Sequence, residues 1–430
     1  MTLTRRAFLT AALGAATLSA STLTAAGCAS PTTASPGRLT LWYSKDGLSD
    51  TVLADAVQRF PADRLNLTPI GDGLKHRLLA AMSGGAYLPD ITMLGDDIAS
   101  YFADADQFVD LNTVGAGALK SQYLPWKWDS GTTEDGHMIG FPIDIGPSAL
   151  YYRHDLFAQA GFPSEPDDVA AEVPTWDDYF RFGQELLRAL PGRYLLPDTK
   201  MVFTYSMAQQ PVKYFDRQNH YLGDQGHVRA AWDRALRAFD LGLTAGYGGA
   251  QDQGQSVDRH AAWNAGKELS FVNACWITGE LKQAAPGTAG SWRVCRSPGG
   301  AGNQGGSYLA ITRYCPRPQE AFAVVSWLLS PENQPRAYLD AGLFPSSPSA
   351  FGDPRLLEPE PFFGGQATMA VFARSATDVK PAYFSPWDIT ISDTYTDELK
   401  NVELAGKDPV QAWADAQNKV NRLLQHQGVI

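Results

Sequence analysis

From residue 38 onward, hydrophobic and polar positions switch between two periods. Leu39-Thr40-Leu41-Trp42-Tyr43 is a compact run of strand formers, and a polar turn, Ser44 to Gly47, closes it. Between Asp50 and Phe60 the apolar residues Val52, Leu53, Ala56, Val57 and Phe60 recur at helical spacing. Leu65 to Ile70 predicts a second strand. Gly73 to Ser83 predicts a helix with Leu74, Leu78, Leu79 and Met82 on one side, and Ile91 to Leu94 a third strand. Strand–helix–strand–helix–strand is the order of a parallel sheet covered on both faces. Ligands of such sheets sit beyond the carboxyl ends of the strands. That rule marks Trp42 to Asp46, Gly71-Asp72 and Gly95-Asp96-Asp97 as positions of interest.

The alternation resumes after Ile139 to Ile145. A strand is expected over Ala149 to Arg153 and a helix over Asp155 to Ala160. Thr175 has the chemistry of an N-cap for a helix over Asp178 to Leu190, with Asp177 and Asp178 in its first turn. Leu269 to Cys275 reads as a buried strand that runs straight into Trp276. Glycine-rich Gly299 to Gly306 precedes a strand at Tyr308 to Thr312, and an amphipathic helix from Pro318 to Leu329 stops at Ser330-Pro331. The tail, Asp408 to Gln425, is helical. Gly246 to Gly254 is a surface loop, and Pro345 to Pro361 and Tyr383 to Pro386 are Pro-rich connections. There is no internal repeat.

With 430 residues and 44% hydrophobic content, the chain suits two or three domains with sizeable cores. Its net charge of -11 argues against a surface built for the nucleic-acid backbone. The first residues read as a targeting segment rather than as fold. Thr4-Arg5-Arg6-Ala7-Phe8-Leu9 is a twin-arginine pattern, and an acid-free, mildly apolar run follows to Ala26. Ala25-Ala26-Gly27-Cys28 resembles a bacterial lipoprotein signal, in which Cys28 receives the lipid, although the usual Leu three places before the cysteine is Ala25 here. Ordinary cleavage after small residues is the alternative. An uncleaved anchor helix suits the short Ala-, Ser- and Thr-rich run less well. Residues 1–27 are therefore expected to be removed, which takes away Arg5 and Arg6 and changes -11 to -13. Residues 28–37 would form a Pro-rich tether to the membrane.

Three further cysteines, Cys275, Cys295 and Cys315, permit one disulfide in an oxidising compartment or none. Cys275 and Cys295, expected to end neighbouring strands, are the candidate pair. Their spacing and the scattered histidines argue against a metal site. Gly300-Ala-Gly-Asn-Gln-Gly305 satisfies GxGxxG literally, but a strand follows it, so the phosphate-cradling turn into a helix is absent. No catalytic or cofactor motif emerges. A secreted glycoside hydrolase, which needs only two carboxylates, stays open as an enzyme alternative.

Several segments taken together resemble one family. They are Leu41-Trp42-Tyr43, Leu88-Pro-Asp-Ile91, Gly140-Phe-Pro-Ile143, Ala149 to Phe157 with Ala160-Gly161, and Pro174-Thr-Trp-Asp-Asp-Tyr179. Cys275-Trp276, Gly305 to Ile311, and Ala321 to Ser330 with Pro331-Glu-Asn-Gln334 continue the series. In this order, after such a leader, the chain resembles the family 1 extracellular solute-binding proteins, the maltose-binding-protein-like sugar receptors of bacterial ABC importers. The resemblance implies an α/β, two-lobe periplasmic-binding-protein-like fold of type II, hinged about a ligand cleft. Lobe one would comprise 38–143 and 305–347, and lobe two 146–303 and 350–430. It further implies a non-enzymatic, monomeric, extracytoplasmic lipoprotein that needs no cofactor. Its partners would be a sugar or oligosaccharide, the importer's permease subunits and, through the anchor, the membrane.

A sugar presents hydroxyls at its rim and C–H faces above and below, so its site needs flat aromatic surface and carboxylates. By resemblance, Trp276 and Trp387 are stacking candidates and Asp46 and Asp97 ligand-binding acids. Asp96, its neighbour, is the alternative register for the same role. Asp144 falls on the first chain crossing and Gly305, Gly306 and Ser307 on the second. Relatives often carry an acid where this chain has Gly146. Trp42, Lys45, Asp72 and Tyr205 complete the candidate set. A polyamine, a metal chelate or a polyol phosphate are the alternative ligands. The acidic, aromatic loops favour neutral sugars or cations over phosphate.

Overall fold

The computed structural model describes residues 37–60, 64–71, 73–84, 87–216, 218, 220–223, 226–247 and 257–430. The twin-arginine pattern, Cys28, nearly all of the tether, Asp72 and most of the Gly246 to Gly254 loop lie outside the described residues.

Two sheets organise the chain. The first has five strands: β1 (Leu39–Ser44), β2 (Leu65–Ile70), β3 (Ile91–Leu94), β4 (Phe141–Pro142) and β8 (Tyr308–Ile311). Their order is β2-β1-β3-β8-β4, with β1 parallel to β2 and β3, and β8 antiparallel to β3 and β4. The second has three strands, β5 (Ser148–Arg153), β6 (Ser270–Ala274) and β7 (Trp292–Cys295), in the order β6-β5-β7, all antiparallel. Both sheets are covered by helices, which is why β5 is buried at all six positions and β6 at all five.

The periodicity of the N-terminal half translates directly. The helix Asp50–Arg59 buries Val52, Leu53 and Ala56 against the first sheet, and Ser49 caps it by accepting from the Val52 N–H at 3.2 Å. Thr175 caps the helix Trp176–Ala189, its Oγ1 accepting from the Asp178 N–H at 3.2 Å. The larger core packs this helix, Thr199–Ala208, Gly226–Asp240, Asp388–Ala405 and Pro409–His426 around Trp232 and Tyr395. β7 ends at Cys295, as expected, whereas periodicity missed several helices, among them Thr199–Ala208, Gly226–Asp240 and Asp388–Ala405. The helix Thr199–Ala208 is apolar nearly all round because helices enclose it, so its sequence shows no polar face to read.

The Cys275–Cys295 pairing is corrected by the sheet order. β5 lies between β6 and β7, with Ala274 beside Ser148 and Cys295 beside Leu150. Two strand spacings separate the cysteines laterally, about 9.5 Å, beyond the usual 4.4–6.8 Å Cα separation of a disulfide. All three cysteines are free and buried. Burial pushes the Cys275 and Cys295 thiols well above their ordinary range.

Candidate functional site

The chain passes between the sheets at three closely tied places. On the first crossing, Asp144 pairs with Pro345 of the third, and the Ile145 N–H donates to Phe344 O at 3.1 Å. On the second crossing, Asn303 pairs with Pro147, and the Ser307 N–H donates to Asp144 Oδ1 at 2.7 Å. Asp144 thus joins all three. The crossings approach so closely that a Cβ on Gly146 would lie 1.8 Å from Gln304 O, so an acid is sterically barred there. Gly306, at φ +103°, places its Cα hydrogens against Asp144 O and Lys127 Nζ.

Above these crossings lies a cleft of about 750 Å³. The first sheet's side contributes Asp96, Asp97, Lys127 and Tyr308, Trp126 packs against the second sheet's core, and the floor is Asn303 to Gly306. The second sheet's side contributes Met207, Lys213, Tyr214 and Phe384, followed by Asp388, Ile389, Asp393 and Asp397 from one helix. The wall therefore alternates carboxylates with flat or apolar surface. This is the combination a polyhydroxyl ligand requires, since each sugar ring shows an apolar face beside a ring of hydroxyls.

The electrostatics of the floor are unusual. Lys127 is 2% exposed, and its Nζ lies 3.4 Å from the centroid of the Tyr308 ring. Burial lowers its pKa to about 7, although Asp144 and Asp96 act to raise it. Asp96 is exposed on the cleft, where partial desolvation by the surrounding walls, with Asp97 beside it, pushes its pKa up. Burial also raises Asp144, against the opposing pull of Lys127 and the Ser307 N–H. Across the cleft, Asp388 is 9% exposed and its pKa is pushed up to about 7 by burial. Its Oδ2 accepts from the Ser385 N–H at 3.1 Å. Lys213, lowered by burial, lies 5.3 Å from the Phe384 ring.

The predicted residues divide clearly. Asp96, Asp97, Gly305 and Gly306 line the cleft, and Asp97 is ion-paired to Lys75. Asp144 and Ser307 tie the crossings beneath it. Trp276 stands at the edge, 40% exposed, its Nε1 donating to Gln304 O at 3.4 Å. Trp387, placed in the chain between cleft-lining Phe384 and Asp388, is half-buried against the larger core. Lys45 and Asp46 occupy an exposed turn past β1, where Asp46 has φ 65°. Two expectations are corrected. Trp42 is 3% exposed, packs with Ile70 and Leu74, and lies beneath the Arg77 guanidinium. Tyr205 is 2% exposed, and its hydroxyl is satisfied by Asn273 Oδ1 and the Ala274 N–H, both at 2.8 Å. Both are core side chains because the strand and helix that carry them face their own lobe's interior. Lys127, Trp126, Lys213 and Tyr214 were missed, since they lie on short or unpredicted helices and loops with no strand end to flag them.

The geometry of two sheets, three crossings and one shared cleft has clear counterparts. Residues 45–335 match the model of the bacterial extracellular solute-binding proteins. The chain belongs to that family. A solved member, described as an extracellular solute-binding protein of family 1, superposes with a TM-score of 0.83 at 29% identity, over 90% of this chain and 99% of its own. The sugar-binding protein MalE of Xanthomonas citri superposes with a TM-score of 0.74 at 20% identity, over 91% and 98%. The lactose-binding protein of Rhizobium radiobacter is 24% identical across 80% of this chain and 82% of its own length. The fold is accordingly the type II, two-lobe arrangement of this family, and the cleft described above lies between its lobes.

Proposed function

We propose that this chain captures a sugar or oligosaccharide between its lobes and delivers it, chemically unchanged, to the permease subunits of an ABC importer. The observation that carries the reading is the cleft itself, in which carboxylates from both sides interleave with aromatic and apolar surface. A relative named for lactose and two named for arabinooligosaccharides support the sugar class. Lobe one comprises 38–143 and 305–347, and lobe two 146–303 and 350–430. In this reading the protein works as a monomer, exported by the twin-arginine route and held on the outer face of the membrane by lipid on Cys28. No helix among the described residues is long and apolar enough to cross a membrane.

The test is a thermal-shift screen of a chain starting at residue 37 against lactose, maltose, β-1,6-galactobiose and arabinobiose, with putrescine and glycerol 3-phosphate as counter-ligands. A true ligand raises the melting temperature by mass action. A response to at least one saccharide, recovered intact by chromatography, is the expected result. A response confined to putrescine or the phosphate ester removes the sugar reading, and a cleaved saccharide removes the non-enzymatic one.

A further inference from the structure

Two buried ionisable groups face the cleft with bonding capacity unused, one from each lobe. Lys127 is 2% exposed, yet its ammonium has no hydrogen-bond or ion-pair partner among the described residues. It lies over the π-face of Tyr308 and beside Gly306. On the opposite wall, Asp388 spends one carboxyl oxygen on the Ser385 N–H, while Oδ1 is buried with no partner. Buried polar groups are nearly always paired, because an unmade bond forfeits the water the group gave up. Exceptions facing a ligand cleft are most simply explained by a ligand that completes them.

We infer that Lys127 and Asp388 form a donor–acceptor clamp on the ligand, the Lys127 ammonium donating to a ring or hydroxyl oxygen and the Asp388 carboxyl accepting from a hydroxyl. This rests on the sugar reading above and assigns the ligand's chemistry more closely. Asp96 and Asp144 lie near enough to act on the Lys127 ammonium, and Lys213 to act on the Asp388 carboxyl, so each group stands in the field of an opposite charge. Because one group comes from each lobe, a ligand that satisfies both also holds the lobes together.

The test uses Lys127→Met, which keeps length without charge, and Asp388→Asn, which keeps shape and can still accept from the Ser385 N–H. Affinities for the four saccharides named above are measured by titration calorimetry, beside the melting temperature of each unliganded protein. Each variant is expected to bind the parent's best saccharide at least fivefold more weakly, with an unliganded melting temperature equal to or above the parent's. A smaller drop in affinity in either variant overturns the inference. So does a fall in the unliganded melting temperature, the pattern of a structural side chain. A parent that binds none of the saccharides instead overturns the sugar reading itself.

Discussion

Trp276 and Asp388 show how one side chain's surroundings set its task. Trp276 is the large aromatic left 40% exposed beside the cleft floor, anchored through its indole N–H to Gln304 O. If it stacks on sugar, Trp276→Ala removes about 0.5–1.5 kcal/mol of ring contact beyond simple area. Titration calorimetry should then show saccharide affinity about two- to twelvefold weaker, with little change in the unliganded melting temperature. The ionisable groups make a second prediction. Asp388 keeps its proton in the fold to about pH 7, whereas an unfolded chain releases it near 3.9. The folded state binds more protons in that window, so this group makes stability fall as pH rises from about 4 to 7. Lys127 acts oppositely: it holds its proton to about 7 in the fold and 10.5 without it, so stability rises with pH between those values. Melting temperature against pH should flatten on the acid side in Asp388→Asn and on the alkaline side in Lys127→Met.

At the level of elements, caps and strand order decide what the chain tolerates. Thr175→Ala leaves the Asp178 N–H without its side-chain acceptor. It is expected to cost about 1 kcal/mol, measured as a lower denaturant midpoint at unchanged slope. The interposed strand β5 gives a prediction about thiols. A chain starting at residue 37 should titrate three thiols in guanidinium and essentially none when folded, and reductant should leave its melting temperature unchanged. Much at this level was legible beforehand. β2 and β3 fall on their predicted residues, and the helix after Thr175 starts where its capping chemistry placed it. The helix has one wet face and one dry face, which writes its period into the sequence, and the two strands are short runs set off by neighbouring turn residues. The helix Thr199–Ala208 was not legible, because neighbouring helices enclose it and leave no polar face to mark a period.

For the molecule as a whole, the proposed capture of a ligand asks two bodies to move about three crossings. Asp144 ties those crossings through Ser307 and Pro345, and Gly146 lets them approach. Ligand closure predicts a smaller radius of gyration by small-angle scattering when a saccharide that stabilises the protein is added. Gly146→Ala forces a Cβ onto Gln304 O. It should cost about 1–3 kcal/mol, read from the denaturant midpoint, and blunt that contraction. The opposite result, wild-type contraction in this variant, would mean that closure pivots elsewhere.

The amino-acid order alone determined the kind of fold, most strand positions and a family resemblance that the match over residues 45–335 bears out. Those properties are local or repeat along the chain, so neighbours in sequence carry them. It also singled out Asp96, Asp97, Gly305 and Gly306, which line the cleft, since strand ends and crossings are recognisable landmarks. Only the tertiary structure decided that Trp42 and Tyr205 belong to cores and that Cys275 and Cys295 stand on opposite flanks of β5. It alone set Lys127 and Asp388 across one cleft from positions 261 residues apart in the chain. Which way a side chain faces, and what it meets there, depends on packing between distant segments, and no window of sequence contains both sides of a cleft.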